Sequence, residues 1–224
     1  MSTDSSRNPD SRFRIHLVRH GEVSAEWKGK IYGGLDVELS AEGKQRFVDL
    51  APCAIGSPIR AVYSSALSRA IHGARCFAEV LSLEPVQDAR FNEIDRGHWS
   101  GLSTEEIERR WPGGLEAYKA APGSYLGHGG ESFDALRERT LPALEELAQR
   151  HAGEEVLLVC HAQVIRVLVS GFLNIPEAES LLLMLSHGGI TTLDRFHDGL
   201  WVVQSVNAPT PVPSTHLTLP TLLP

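Results

Sequence analysis

Phe13-Arg14-Ile15-His16-Leu17-Val18 runs into Arg19-His20-Gly21, and Glu155-Val156-Leu157-Leu158-Val159-Cys160 runs into His161. The first stretch is apolar with weak alternation, which predicts a strand. The second is an unbroken apolar run of strand length, which predicts a strand covered on both faces, as in a parallel sheet. Between and beyond them the period changes. A helix is predicted over about 40–51 and a short strand over 59–63. A helix over 66–81 follows, with Leu67, Ile71, Ala74, Phe77 and Leu81 at three- and four-residue spacings. The segment 132–150 predicts the longest helix, with Phe133, Leu136, Thr140, Leu144, Leu147 and Ala148 as its buried stripe despite Pro142. An apolar helix over 162–172 and two closing strands over 190–196 and 200–206, joined at His197-Asp198-Gly199, complete the pattern. Strands alternating with helices predict an α/β fold, a three-layer α/β/α sandwich with a mostly parallel central sheet.

The chain has 224 residues, enough for one domain with an elaboration. Its composition is that of an ordinary globular protein, which excludes wholesale disorder and fibrous repeats. No apolar run approaches membrane-spanning length. A formal net charge of −7 argues against a nucleic-acid-coating role, while leaving room for a local basic pocket. Cys53, Cys76 and Cys160 are odd in number, widely spaced and without a zinc pattern. With a polar N-terminus lacking an apolar core segment, they lead to the expectation of a reducing, cytoplasmic setting. Residues 1–12 are expected to be a disordered lead-in to a domain over 13–207. The Gly- and Pro-rich stretch 88–130 is expected to be an inserted lid, with a capping box at Ser103-Thr104-Glu105-Glu106 starting a short helix. The stretch 208–224 holds five prolines and no charged residue. It is expected to be a disordered tail, foreign in look to the rest.

Two histidines, His20 and His161, directly follow predicted strands. In open α/β sheets ligands bind beyond the carboxyl ends of the strands, so the two can meet in one crevice. Arg19 adds a planar fork of five donors beside His20, and Arg69 stands a turn into the helix after the next strand. Alone, each has a bland alternative: a structural histidine or a solvated helix arginine. Together they make a compact cationic pocket in an acidic protein, suited to a phosphoryl group. A neutral imidazole attacks phosphorus, fixed cationic donors stabilise the equatorial oxygens, and a nearby carboxylic acid protonates the leaving alkoxide. Glu93, opening the Gly-rich insertion, is the candidate acid, and Asp95 is its nearest competitor. His187, before a closing strand, is a candidate for the pocket rim. Arg166 either lies on a helix surface or braces the pocket from behind. His16, His72, His98, His151 and His197 show no metal-ligand spacing, and no metal or organic cofactor is expected.

Leu17-Val18-Arg19-His20-Gly21-Glu22 resembles the R-H-G signature of the histidine phosphatase superfamily, in its phosphoglycerate-mutase-like branch. Further segments resemble that family in the same order. They are Tyr32-Gly33-Gly34-Leu35-Asp36 through Leu39-Ser40-Ala41-Glu42-Gly43, Tyr63-Ser64-Ser65-Ala66-Leu67-Ser68-Arg69-Ala70, Glu93-Ile94-Asp95-Arg96-Gly97-His98-Trp99-Ser100-Gly101, Gly129-Gly130-Glu131-Ser132, and Val159-Cys160-His161-Ala162-Gln163-Val164-Ile165-Arg166. The resemblance implies that His20 is the phosphorylated nucleophile and that Arg19, Arg69 and His161 hold the phosphate. It implies Glu93 as proton donor, with Tyr32-Gly33 and Ala162-Gln163 lining the substrate side.

The sequence also departs from the family pattern. Glu26 stands where many members have Asn, and is expected to point outward. Gln163 replaces a glycine, and either touches substrate or simply starts its helix. The R-H-Y-like segment that retains a bisphosphate in the mutases is missing after Glu93, which favours a phosphatase over a mutase. Within the phosphatases several segments look most like α-ribazole phosphatase, of cobalamin nucleotide-loop assembly. Sugar-phosphate and phosphoserine phosphatases are the alternatives, and a catalytically silent phospho-ligand-binding protein is the rival from another class. The expected partner is a small phosphorylated metabolite, with no nucleic acid and no membrane, and the protein is expected to be a monomer or homodimer.

Overall fold

A computed structural model describes residues 12–209. The central sheet has six strands: β1 (Phe13–Arg19), β3 (Ile59–Ser64), β4 (Pro85–Gln87), β6 (Glu155–Cys160), β7 (Ile190–Arg195) and β8 (Trp201–Ala208). Their order is β4-β3-β6-β1-β7-β8. The first four run parallel, while β7 is antiparallel to β1 and β8 to β7. A separate two-stranded ribbon pairs β2 (Lys30–Ile31) with β5 (Leu102–Ser103).

The two faces of the sheet are covered by different helices. On one, Phe47 and Leu50 of α1 (Ala41–Leu50) and Ala70, Ala74 and Phe77 of α2 (Ser68–Leu81) pack on Val18, Val62, Leu157 and Val159. On the other, Leu136, Leu144 and Leu147 of α5 (Phe133–Arg150) and Val164, Ile165 and Leu168 of α6 (Ala162–Leu173) pack on Ile15, Leu17, Val156, Leu158 and Leu193. Residues 15, 17 and 18 of β1 thus fill both cores, which is why the strand alternates so weakly. The buried polar side chains of β1 are paired across the sheet. Arg14 makes a two-pronged pair with Asp194 at 2.6 and 2.8 Å, and His16 Nδ1 lies 3.0 Å from the Thr192 hydroxyl.

The sandwich is therefore as expected, with small shifts at the element ends. Helix α2 begins at Ser68 rather than at 66. The backbone before it is drawn elsewhere: the Ser65 amide donates to the Val159 carbonyl and the Ala66 amide to Asn92 Oδ1. Strand β8 runs through Ala208, one residue past the expected domain end, and Arg12 reaches Asp194 at 3.0 Å. The disordered segments expected over 1–12 and 208–224 otherwise fall outside the described residues.

The stretch 88–130 carries β5, α3 (Thr104–Arg110) and α4 (Gly114–Ala120). Ser103 and Glu106 form the reciprocal capping box read from the sequence. Trp99 is fully buried and makes ring contacts with Tyr118, Tyr125 and His128. A short helix α7 (Glu177–Ser180), strand β4, helix α4 and the β2–β5 ribbon were not foreseen. Each is seven residues or shorter, too short to show a period. Among the described residues no helix is long and apolar enough to cross a membrane.

Candidate active site

Register brings the two strand-end histidines together. In the parallel pair β1–β6, Val18 is opposite Val159 and Arg19 opposite Cys160, so His20 and His161 are the next residues on neighbouring strands. Their ring centroids are 5.1 Å apart, and both side chains are buried. The antiparallel partner β7 begins where β1 ends. Its lead-in is tied back by the Gly188 amide donating to the Arg19 carbonyl and the Arg19 amide donating to that of Gly189. This sets the His187 ring 5.7 Å from the His20 ring.

The His20 Nδ1 lies 2.7 Å from the Gly21 carbonyl oxygen. A carbonyl only accepts, so the ring proton sits on Nδ1 and the lone pair on Nε2. Burial, then Arg69 and Arg19, push the His20 pKa well below the ordinary histidine value, which keeps the ring neutral. Burial and the same two arginines also depress His161. Its Nε2 is 2.7 Å from the Ser65 hydroxyl, and its Nδ1 is buried without a partner. His187 is pushed down to about 4 by burial and by Arg19.

Arg69 is fixed from two sides. Asp36 Oδ1 accepts from the amide and hydroxyl of Ser68, docking the Gly-rich loop on the first turn of α2. The Arg69 guanidinium donates to the carbonyls of Leu35 at 2.6 Å and Gly33 at 2.7 Å, and lies 5.2 Å from the Tyr32 ring centre. Arg19 donates to the Leu185 carbonyl, and its Nε is buried without a partner. Glu93 is buried. Its Oε1 accepts from the Ile94 amide at 3.0 Å, and its Oε2 from the Gln163 amide at 3.3 Å, in the first turn of α6.

These groups meet at a cavity of about 640 Å³. Arg19, His20, Tyr32, Gly33, Glu93, Ala162 and Gln163 line it, while Arg69 and His161 are buried beside His20. The structure thus brings His20, Arg19, Arg69, His161, Glu93, Tyr32, Gly33, Ala162 and Gln163 together, but not Asp95. Asp95 is exposed, its Oδ1 accepting from the Gly97 amide, and it does not reach the cavity. Glu26 is exposed as expected, accepting from the Ser24 hydroxyl and the Trp27 indole.

Sequence reasoning left four charged or hydroxyl-bearing side chains of the cavity out of the site: Lys30, Arg96, Tyr118 and Lys119. Arg166, which it left undecided, also lines the cavity. The helical spacing from His161 to Arg166 was a usable signal. The placement of Lys119 and Tyr118 on a seven-residue helix was not. Among the described residues no three metal-ligating side chains cluster.

What the arrangement can do is hold a tetrahedral anion between Arg19, Arg69 and His161, against a neutral imidazole and near a carboxyl group. Comparison with known proteins agrees with that chemistry. The chain is 33% identical to phosphoserine phosphatase 1 of Hydrogenobacter thermophilus over 72% of its own length and 77% of the relative's. It is 29% identical to a probable phosphoglycerate mutase of Shigella boydii, over 93% and 97% of the two chains. A mycobacterial glucosyl-3-phosphoglycerate phosphatase solved with VO3 superposes with a TM-score of 0.78 at 28% identity, over 87% of this chain and 99% of that one. The model of the histidine phosphatase superfamily, branch 1, matches residues 15–209, from the first core strand to the last, and the chain is an enzyme of that family.

Proposed function

We propose that the enzyme is a phosphomonoesterase that passes the phosphoryl group through His20. The observation that carries this reading is the state of the His20 ring: neutral, with Nδ1–H held by Gly21 and Nε2 free, beside Arg19, Arg69 and His161. Nε2 attacks phosphorus and the ester P–O bond breaks. Glu93 gives its proton to the departing alkoxide. Arg19, Arg69 and the His161 ring, whose Nδ1 has no partner within the protein, hold the equatorial oxygens, where charge accumulates. Water then attacks the phosphohistidine, Glu93 takes its proton, and the N–P bond breaks. Tyr32, Gly33, Ala162 and Gln163 flank the leaving group, and 88–130 acts as the lid over it. The reading needs no metal or organic cofactor. It places the enzyme in the cytoplasm, acting on a small soluble metabolite as a monomer or homodimer.

A phosphatase fits better than a mutase because Arg96, in Ile94-Asp95-Arg96-Gly97, stands in place of the segment that retains a bisphosphate. α-Ribazole 5′-phosphate, and with it a role in cobalamin synthesis, is one candidate substrate. Phosphoserine and sugar phosphates are others. The test is phosphate release without added metal from a panel of these compounds plus an aryl phosphate, for wild type and His20→Ala. Turnover and acid-labile phosphoenzyme should both vanish in the variant. Retained turnover overturns the nucleophile assignment. Inertness of the wild type, relieved by a bisphosphate primer, indicates a mutase, and inertness to both a binding protein.

A further inference from the structure

The outer part of the cavity holds cations that the phosphoryl chemistry leaves unused. Of the side chains lining the cavity, Glu93 is the only carboxylate, against Arg19, Lys30, Arg96, Lys119 and Arg166. Arg96 is 6% exposed, although it is a charged group. Its Nη2 donates to the Tyr118 hydroxyl at 2.8 Å, its guanidinium lies 4.5 Å from the Tyr118 ring centre, and its Nη1 is buried without a partner. Its stem packs on Gly33. A Cβ added at Gly33 would come within 2.7 Å of Arg96 Cγ, and the Gly33 carbonyl is the one that holds Arg69. Arg96 therefore stands immediately outside the phosphate-facing arginine.

Arg166 approaches from the other side. Its Nη1 donates to Gln163 Oε1 at 3.2 Å and its Nη2 to the Leu183 carbonyl at 2.9 Å, while its Nε is buried without a partner. The Gln163 amide in turn donates to Glu93, so Arg166 sits behind the group that faces the leaving oxygen. Every hydrogen-bond partner of the two guanidiniums is neutral. Burial, with repulsion from Arg19 and Arg96, outweighs the attraction of Glu93 and depresses Arg166. Gathering five cations around the single carboxylate of Glu93, with Arg96 buried and Arg166 half-buried, is costly, and a ligand that brings further negative charge offsets that cost.

We propose that Arg96 and Arg166, with the Tyr118 hydroxyl, form a second anion subsite on the leaving-group side of the cavity. The preferred substrate is then a phosphomonoester whose alcohol portion itself carries a carboxylate or a second phosphate. This rests on the phosphomonoesterase reading and narrows it. α-Ribazole 5′-phosphate and hexose monophosphates have no second anion and become poor substrates. Phosphoserine carries its carboxylate beside an ammonium group, which the same cations repel.

The test compares matched pairs. 3-Phosphoglycerate and glycerol 3-phosphate differ by a carboxylate in place of a hydroxymethyl group. Fructose 1,6-bisphosphate and fructose 1-phosphate differ by the second phosphate. The readout is the ratio of kcat/KM within each pair, for wild type, Arg96→Met and Arg166→Met. A ratio is independent of the fraction of folded enzyme, so a variant that folds poorly still answers. One charge-assisted contact corresponds to about tenfold or more. Wild type should favour the doubly anionic member of at least one pair by that much. Both variants should bring the ratio toward unity, chiefly through KM. The pair that responds tells carboxylate from phosphate. Wild-type ratios near unity in both pairs overturn the proposal, as does a preference that survives both substitutions. If wild type releases no phosphate even from an aryl ester, the phosphatase reading fails by itself. Calorimetric binding of the same pairs then decides the subsite, and equal affinities within each pair overturn it.

Discussion

Glu93 shows how much a single residue's task depends on its surroundings. Asp95, two positions on, is exposed and spends its carboxylate on the Gly97 amide, whereas Glu93 is buried against the first turn of α6. If Glu93 is the proton donor, its removal is felt in proportion to how badly the leaving group needs a proton. Glu93→Gln should lower kcat/KM for alkyl phosphates by about 10²-fold or more. Aryl phosphates, whose phenolate leaves unaided, should lose less than about tenfold. Equal losses on both classes would remove Glu93 from the acid role. The residues that sequence reading could place were those whose position follows from a strand end. His20 and His161 both stand one step past a strand, and parallel register makes them neighbours whatever the loops do. Arg96 was not legible in this way. Its inward aim is set by Gly33 and by Tyr118, which approach from segments 63 and 22 residues distant in sequence.

At the scale of elements, helix α1 is held to the loop after His20 by two glycines. Ser40 caps the helix by accepting from the Gly43 amide, and its own amide donates to the Glu22 carbonyl. A Cβ on Gly43 would fall 2.0 Å from the Glu22 carbonyl oxygen, and one on Gly21 2.4 Å from that of Gly43. These are backbone atoms on both sides, so neither can swing away. Placing alanine for glycine in a helix ordinarily stabilises by about 1 kcal/mol. Here the sign should reverse. Gly43→Ala should destabilise by about 1–3 kcal/mol, the scale of an overpacked contact. It should also lower kcat, because the displaced Gly21 carbonyl is the acceptor that fixes the His20 tautomer. Urea unfolding and turnover measured side by side check both effects, and a more stable, fully active variant would show that the loop yields. The sequence shows a glycine three residues after a serine, which reads as an ordinary capped helix. The reason for the glycine lies in the loop against it, and periodicity within α1 carries no trace of that loop. The unforeseen ribbon β2–β5 has the same cause: two residues in each strand pair only because the insertion folds back on the Gly-rich loop.

The whole molecule keeps several histidines neutral, and this should appear in its response to acid. Burial depresses His20 and His161, and His187 and His128 are pushed down to about 4. For such a group the unfolded chain binds a proton near pH 6.5 while the folded chain does not. Stability is then lost as the pH falls below about 6.5, and the loss continues until the folded group itself titrates. Carboxylates held below their ordinary values, such as Glu131 beside Arg139 and Asp88 beside Arg90, act later, below the unfolded carboxylate range. The interval between about pH 6.5 and 4.5 therefore belongs to the histidines. His128 isolates one of them away from His20. Its Nδ1 accepts from the Gly130 amide, Nε2 is buried without a partner, and Trp99, Tyr118 and Tyr125 surround the ring. In phosphate-free buffer the unfolding free energy of wild type should fall steadily across this interval. His128→Gln should be less stable at pH 7.5 yet lose stability more slowly on acidification. The difference in slope should approach one proton, about 1.4 kcal/mol per pH unit near pH 5. Denaturant unfolding at several pH values measures it. Parallel slopes for the two proteins would mean that His128 takes up its proton alike in the folded and unfolded chain, and that the aromatic cage around it does not exclude the charge.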